Sequence, residues 1–496
     1  MSGRCLSENS LTTFFPSDFL QNSGVSCQIS GRWPSKSQGG ECTAHLCVYF
    51  LTIISTYLIA PAQASVANSI CKTITAFDTS TSLSSQEGLR YKPDIIFYGA
   101  NIGDIEDPLA SFQKMEMFVE FKRGNDSDPF HSHDQLPFEK LFEDTCGTRG
   151  QVILYSTRLQ TYQFRTWVFS VGIFGKVARL FRWDRAGAIV SEPIPYCERG
   201  NRDLTEFFYR FDLVNHVLRG FDPTVFDATP EEAAAFEGVI EAVIEGGKNS
   251  LLKGLFRSVG SKDKYPRRRV EIPAGGNKRV VSYIVGRPMA NTKSPTGRAT
   301  RCFVAMSKDT GNLVFFKDTW RPNIEGVKGE AHWFGRARGV RNISAFLHGS
   351  EVRCVAVRRG AAETSDPPTN PVQRTLTDPH SGDYNGPQRM MGYIHCRTVQ
   401  CEFYIPLNMF KDSKHLVEIM LDIVIGMSLH FCVTPTVQFP SAIQDLYDRG
   451  ILHRDISVPN IMIAVDGSGR LIDLDMARDR EDIGPWLIIR TVGPHP

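Results

Sequence analysis

From Tyr91 onward the chain breaks into short apolar runs with the spacing of strands. Asp94–Tyr98, Glu116–Phe121, Val152–Tyr155, Thr166–Ile173 and Val177–Trp183 either alternate or stay continuously apolar, as half-buried and central strands do. Leu204–Val217 and Pro230–Ile244 carry a helical period, and the second opens on Thr229-Pro230-Glu231-Glu232, a cap residue followed by proline and early acids. Tyr265–Arg301, where Pro, Gly and Lys/Arg follow one another quickly, predicts a basic loop. Cys302–Met306 and Leu313–Lys317 then predict two strands joined by a turn at Asp309–Asn312. Ala361–Gly386, rich in Pro, Thr, Ser, Asp and Gly, predicts a linker. The pattern divides the chain into a poorly ordered region over 1–88, an α/β domain over 89–222, a helical connector over 223–264, and a second domain with a β-rich part over 265–410 and a helical part over 411–496.

Composition narrows the classes. A 42% hydrophobic and 22% charged chain of 496 residues is globular and long enough for two or three domains. With 56 basic against 54 acidic residues the net charge is +2, which gives no general attraction to nucleic acid or membranes. The 12 cysteines are scattered, and Cys42/Cys47 and Cys396/Cys401 lack a second pair at zinc-site spacing, so reduced thiols of an intracellular protein, cytoplasmic or nuclear, are expected. Leu46–Ala60 is almost wholly apolar but short of a spanning helix and too far from Met1 for an ordinary signal peptide. A buried helix or a misassigned N-terminus is expected there ahead of a membrane anchor, and no stable membrane partner.

The chemistry concentrates near the end. Phosphoryl transfer needs a carboxylate to take the hydroxyl proton, a group that holds that loop and a metal, and a second carboxylate on magnesium. In His453-Arg454-Asp455-Ile456-Ser457-Val458-Pro459-Asn460 the asparagine follows the aspartate by five positions, as in a kinase catalytic loop. Asp473, in Leu471-Ile472-Asp473-Leu474-Asp475, lies thirteen residues on. Ile461–Val465 and Arg470–Ile472 predict a hairpin around Asp466-Gly467-Ser468-Gly469, which would return Asn460 and Asp473 to one metal. Upstream, Lys317 closes a strand and suits the α/β phosphates of ATP, Glu330 begins a helix as its ion-pair partner, and Gly297 marks a phosphate-cradling loop with one glycine where kinases often have three.

These segments carry a resemblance. Lys317-Asp318-Thr319-Trp320-Arg321, Gly450–Ser457, Leu471–Ala477, Lys92-Pro93-Asp94 and Asp184-Arg185-Ala186-Gly187 resemble the fungal-type protein kinase family, from about Tyr91 to Thr491. The resemblance implies an α+β, bilobal protein-kinase-like fold with 265–410 as N-lobe and 411–496 as C-lobe. It also implies ATP with Mg2+ as cofactors, Asp455 as catalytic base, Arg454 steadying the activation segment, and a protein substrate. Two departures bear on the substrate: Ser457 stands where serine/threonine kinases usually have lysine, and Asp475 replaces the glycine of Asp-Phe-Gly. Both are similar to small-molecule kinases such as choline or aminoglycoside phosphotransferases.

The first domain holds a second constellation. Asp94 opens one strand and Glu120-Phe121-Lys122 closes another, and Gln151 and Tyr155 follow four apart. Two carboxylates from adjacent strands can share a metal. This order is similar to restriction-endonuclease-like proteins, in which an aspartate and a glutamate bind magnesium, a lysine orients water and a Gln-x-x-x-Tyr helix follows. The resemblance implies a smaller α/β nuclease-like domain ahead of the kinase-like fold, with nucleic acid as its partner. The bland alternative is a family-specific regulatory domain.

Two features predict an interrupted C-lobe. Asp412-Ser413 starts a helix whose stripe runs through Leu416, Ile419, Met420, Ile423 and Val424. Met427–Ser441, with two prolines, then intervenes before Ile443, Leu446 and Tyr447 return to the same face. The chain stops soon after Arg490-Thr491, where the family continues, so a truncated, weakly folded C-lobe is expected. Gly426-Met427-Ser428 and Thr491-Val492-Gly493 can encode splice donors, and Pro440-Ser441-Ala442 an acceptor, as retained introns would. The alternatives to an active kinase are therefore a pseudokinase or the inactive product of a misassigned gene, and a magnesium-dependent nuclease.

Overall fold

In the computed structural model the described residues are 3–6, 71–79, 92–99, 112–132, 135, 137–246, 250–260, 265–274, 279–289, 294–353, 372–377, 391–423 and 441–482. The chain forms two compact units. The first comprises Met1–Pro223, Thr292–Ala299 and Thr375–Gly392, and the second Thr224–Asn291, Thr300–Arg374 and Tyr393–Pro496. The fold is mixed α+β.

The first unit is built on one sheet. Its strands are β1 (Gly3–Leu6), β2 (Ile74–Asp78), β3 (Ile95–Gly99), β4 (Met115–Lys122), β5 (Val168–Phe174), β6 (Val177–Trp183) and β7 (Ala188–Ser191), in the order β1-β7-β6-β5-β4-β3-β2. The β4–β5 and β1–β7 pairs are parallel and the rest antiparallel. Helices α1 (Glu143–Tyr162) and α2 (Asp203–Leu213) contribute to different cores. Alternation decides which residues meet which helix. Ile96, Tyr98 and Phe118 form a core with Val152, Tyr155 and Leu159 of α1, whereas Ile95, Phe97 and Val119 pack with Phe207, Phe208 and Phe211 of α2.

The 1–88 region thus supplies two strands of this sheet, β1 and β2, where a poorly ordered segment is expected. Asp212 anchors β2: its carboxylate accepts the N–H groups of Lys72, Thr73 and Ile74 at 2.8–3.1 Å. Val152–Tyr155, an apolar run of four, is not a strand but the middle of α1; only its length and flanks could have separated the two. Leu46–Ala60 lies outside the described residues, among which no helix is long and apolar enough to cross a membrane.

In the second unit β8 (Val225–Asp227) is followed by helices α3 (Pro230–Gly246) and α4 (Ser250–Gly260). The strands β9 (Arg268–Ala274), β10 (Arg279–Pro288), β11 (Arg301–Ser307) and β12 (Leu313–Pro322) come next. After helix α5 (Glu330–Arg336) come β13 (Phe346–Glu351) and β14 (Tyr393–Gln400). These seven strands form one antiparallel sheet in the order β13-β14-β12-β11-β10-β9-β8. Phe236 and Ile240 of α3 and Phe256 and Val259 of α4 pack on Ile284, Val304 and Met306.

The basic stretch expected as a loop therefore contains two long strands. Arginine hid their alternation: Val270 and Ile272 are buried, while Arg267, Arg268 and Arg269 pair with Glu237, Asp227 and Glu232.

The remaining elements are β15 (Ile405–Pro406), helices α6 (Ser413–Ile423) and α7 (Ala442–Asp448), and strands β16 (Ile451–Leu452), β17 (Ile461–Ile463), β18 (Gly469–Leu471) and β19 (Arg478–Asp479). The core here joins Trp333 and Phe334 of α5 to Ile419, Ile423, Leu446, Ile461 and Leu471. Most of the predicted insertion, residues 427–440, lies outside the described residues. Ser441 caps α7 by accepting the Gln444 N–H. On α7 the buried residues are Ala442 and Leu446; Tyr447, expected on the same face as Leu446, is exposed beneath the Arg480 guanidinium.

One turn in the first unit gathers distant chain. Asp184 is fully buried, and its carboxylate accepts four backbone N–H groups: Ala186 and Gly187 locally, and Leu376 and Thr377 at 2.8 Å each. Arg185, next to it, donates to the Pro295 carbonyl at 3.2 Å and accepts the Gly297 N–H on its own carbonyl at 2.8 Å. Asp184→Ala would orphan all four donors and should cost about 3 kcal/mol or more. A clear fall in the urea midpoint of the full chain, followed by tryptophan fluorescence, is the expected result; an unchanged midpoint would show that the clamp contributes nothing.

Candidate active site

Lys317 occupies the middle of β12, flanked by Cys302 of β11 and Thr398 of β14 in register. Its side chain is 6% exposed, and three carboxylates surround the ammonium: Glu330 at 3.1 Å, Asp473 at 3.0 Å and Asp475 at 2.8 Å. Glu330 opens α5 and also accepts from Thr398 Oγ1 at 3.2 Å. Burial presses the lysine toward neutrality, but Glu330 and Asp473 outweigh it and hold its pKa above the ordinary value. Burial raises Glu330, Lys317 draws it partly back, and Asp473 adds to the rise; the cluster has more negative than positive charge. The carboxylate oxygens of Glu330, Asp473 and Asp475 lie within 4.8 Å of one another, a hard-oxygen donor set of the kind magnesium prefers.

The catalytic-loop candidates are tied together from behind. β17 and β18 form the hairpin that the sequence predicts, and Ile472 N–H donates to the Asn460 carbonyl at 3.0 Å, which sets Asn460 across from the residue preceding Asp473. The Asn460 side chain turns to Asp455, donating to its carboxylate at 2.9 Å and its carbonyl at 3.0 Å. His453 is buried and burial lowers its pKa. The neutral ring donates from Nε2 to the Ile472 carbonyl at 3.0 Å and accepts the Asp455 N–H on Nδ1 at 3.3 Å. Arg454 and Asp473 both adopt positive φ, +68° and +66°. Such backbone is costly outside glycine and persists only where neighbours over-determine it. Burial first and then the charge of Arg454 hold Arg478 of β19 below an ordinary arginine.

The second unit thus brings Lys317, Glu330 and Asp473 into contact and links His453, Asp455 and Asn460. Gly297 is placed differently. It has φ +89° and is built into the first unit on the Arg185 carbonyl, not into the sheet that carries Lys317. Sequence reasoning also passed over Cys302 and Thr398, which only strand register identifies, and Asp318. The Asp318 side chain points to the opposite face from Lys317 and is gripped by Arg301 at 2.7 Å, His395 at 2.7 Å and Arg397 at 2.9 Å. Burial pushes its pKa up, but His395, Arg301 and Arg397 hold the carboxyl well below the usual range.

In the first unit, the β3–β4 register pairs Ile95 with Val119 and so sets Asp94 opposite Glu120. Alternation puts Asp94, Glu120 and Lys122 on the α1 face. Lys122 Nζ lies 2.7 Å from Glu120 Oε1, and Asp94 accepts the Phe121 N–H at 2.8 Å. Burial raises Asp94, and burial together with the charge of Asp94 pushes Glu120 up to about 7, partly offset by Lys122. Glu120 Oε2 is buried with no hydrogen-bond partner among the described residues. Gln151 and Lys122 line one cavity of about 590 Å3, whereas Tyr155 is buried and donates to the Lys92 carbonyl at 2.8 Å.

Comparison with known proteins reaches into both units. Among solved structures, the chain is similar to the ROP18 kinase domain in complex with AMP-PNP and sucrose, at 11% identity and a TM-score of 0.24, over 52% of this chain and 69% of that one. No curated protein matches. A family model described as fungal protein kinase matches residues 155–484, narrower than the span of about Tyr91 to Thr491 that motif resemblance implies, and leaving Asp94, Glu120 and Lys122 outside. That match covers more than half of the sequence and takes in Lys317, Glu330, Asp455, Asn460 and Asp473. The chain belongs to the fungal protein kinase family.

Proposed function

We propose that the second unit is an ATP- and Mg2+-dependent phosphotransferase acting on protein hydroxyl groups. The observation that carries this reading is the grouping of Lys317, Glu330 and Asp473, which are distant in sequence, around one ammonium. Glu330 orients Lys317 toward the α/β phosphates, Asp473 and Asn460 hold magnesium, and Asp455 takes the proton of the attacking hydroxyl. When bound, the metal neutralises the phosphates. Asn460 fixes the Asp455 carboxylate, and His453 fixes the loop through the Ile472 carbonyl. The protein acceptor rests on the family; Ser457 and Asp475 leave a small-molecule hydroxyl as the competing acceptor.

Asp455→Asn is expected to cut phosphate transfer by about 100-fold or more, the scale of a lost general base, with nucleotide affinity retained. Asp473→Asn should instead weaken Mg2+-dependent nucleotide binding. Isothermal titration with ATP, alongside transfer to a protein acceptor, separates the two. Equal turnover in wild type and Asp455→Asn would remove Asp455 from its role, and nucleotide binding without turnover in wild type would make the chain a pseudokinase.

The first unit supports a second reading, divalent-metal-dependent phosphodiester hydrolysis, on the strength of the orphaned Glu120 Oε2 beside Asp94. Asp94 and Glu120 would hold the cation and Lys122 would orient water, with Gln151 at the same cavity. Glu120 also gives a pH signature. Its folded pKa of about 7 exceeds the ordinary 4.5, so the folded state binds the proton more tightly. The stability it contributes is present at low pH and lost as pH rises through 7. Glu120→Gln should therefore raise the thermal midpoint at pH 8, by the equivalent of about 3 kcal/mol at most, and change little near pH 4. Mn2+ should stabilise wild type at pH 8 and not this variant. Cleavage of DNA by the full chain with Mn2+, abolished by Lys122→Ala, is the activity test; absence of both cleavage and Mn2+ stabilisation would eliminate the reading.

A further inference from the structure

Asp475 stands two residues beyond Asp473, where kinases carry the glycine of Asp-Phe-Gly. Its side chain is 6% exposed, and its oxygen is nearer to Lys317 Nζ than that of Glu330 or Asp473. Its own N–H donates to Asp473 Oδ1 at 3.2 Å, so the two carboxylates are held side by side. Three carboxylates therefore face one ammonium, with Glu330 and Asp475 nearly closed to solvent and Asp473 30% exposed at the mouth.

That arrangement satisfies the lysine, and it has a consequence for any polyanion that needs the same lysine. Phosphates recruiting Lys317 compete with Asp475 for it and bring a second negative group beside a carboxylate whose side chain is 6% exposed. Desolvated like charges repel strongly at this range. A glycine at 475 would present no such competitor. A divalent cation relieves that repulsion by taking up the carboxylates.

We infer that Asp475 is the resident counter-ion of Lys317 and makes nucleotide binding by this chain conditional on a divalent cation. Asp475 is a positioning residue, acting on the phosphates through Lys317. The inference rests on the phosphotransferase reading and deepens it: the cation is required for the nucleotide to enter at all, not only for the transfer step.

The test compares affinity for a non-hydrolysable ATP analogue with Mg2+ and with EDTA, in the full chain and in Asp475→Asn, Asp475→Gly and Asp473→Asn. The asparagine variant keeps shape and the glycine variant keeps backbone freedom, so either gives the measurement if the other fails to fold. Replacing Asp475 should tighten binding in EDTA about tenfold or more, the size of one charge-assisted hydrogen bond, and shrink the ratio of the two affinities by the same factor. Asp473→Asn should act mainly on the Mg2+ arm. A purely structural Asp475 would move both affinities together; an unchanged ratio, or weaker binding in EDTA, overturns the inference alone. No binding by wild type in either condition overturns the phosphotransferase reading and this inference with it.

Discussion

A buried ammonium is the constraint around which the second unit is arranged. Burying Lys317 without partners would expel its proton, so β12 must meet carboxylates from elsewhere in the chain. Glu330 arrives on the first turn of α5, and Asp473 and Asp475 arrive after the β17–β18 hairpin. Each depends on separate packing: Trp333 and Phe334 seat α5, and Ile461 and Leu471 seat the hairpin, in one shared core. The ion cluster and that core are built on the same elements, α5 and the hairpin, so each positions the other.

The other face of β12 is held by an opposite arrangement. There Asp318 is gripped by Arg301, His395 and Arg397, and strand register places Arg301 and Arg397 directly across from it on either side. Gln373 holds His395 from behind at 2.8 Å, and Trp320 stacks on its ring at 4.4 Å. A carboxylate shared by three donors tolerates little displacement, so β11, β12 and β14 are locked at the residue next to Lys317. One dipeptide therefore carries an anion-rich cluster on one side of the sheet and a cation-rich cluster on the other. The site lysine is precise because its neighbour is immobile.

How much of this is legible from sequence depends on distance along the chain. The Asp455-to-Asn460 spacing and the hairpin to Asp473 are local, and Ile461, Ile463, Leu471 and the Asp466-Gly467 turn display them in a few residues. Glu330 as partner of Lys317 could be read because a helix start follows the strand. The contact of Asp475 with Lys317 could not: residue 475 shows only a departure from glycine, and its meaning comes from a fold that closes 158 positions. The strands β9 and β10 were obscured for another reason, since arginine stems cover apolar surface while reading as polar. Gly297 illustrates the reverse error. A single glycine in a basic stretch reads as a phosphate loop, but the partner that fixes it, Arg185, lies more than a hundred residues upstream.

That last partner belongs to a turn that lies within the residues of the family match. Besides their local partners, Asp184 and Arg185 take hydrogen bonds from or to Leu376, Thr377, Pro295 and Gly297, which the chain supplies from the β10–β11 and β13–β14 connections. A polypeptide ending at Pro223 would contain the Asp184 carboxylate but not two of its four donors. The charged group would then lose hydrogen bonds that its burial requires. The first unit cannot complete its own polar accounting from its own contiguous sequence, so the connections of the second unit are structural parts of the first. The residues that complete the Asp184–Arg185 turn are interleaved in sequence with the strands around Lys317, and both lie within the match over residues 155–484.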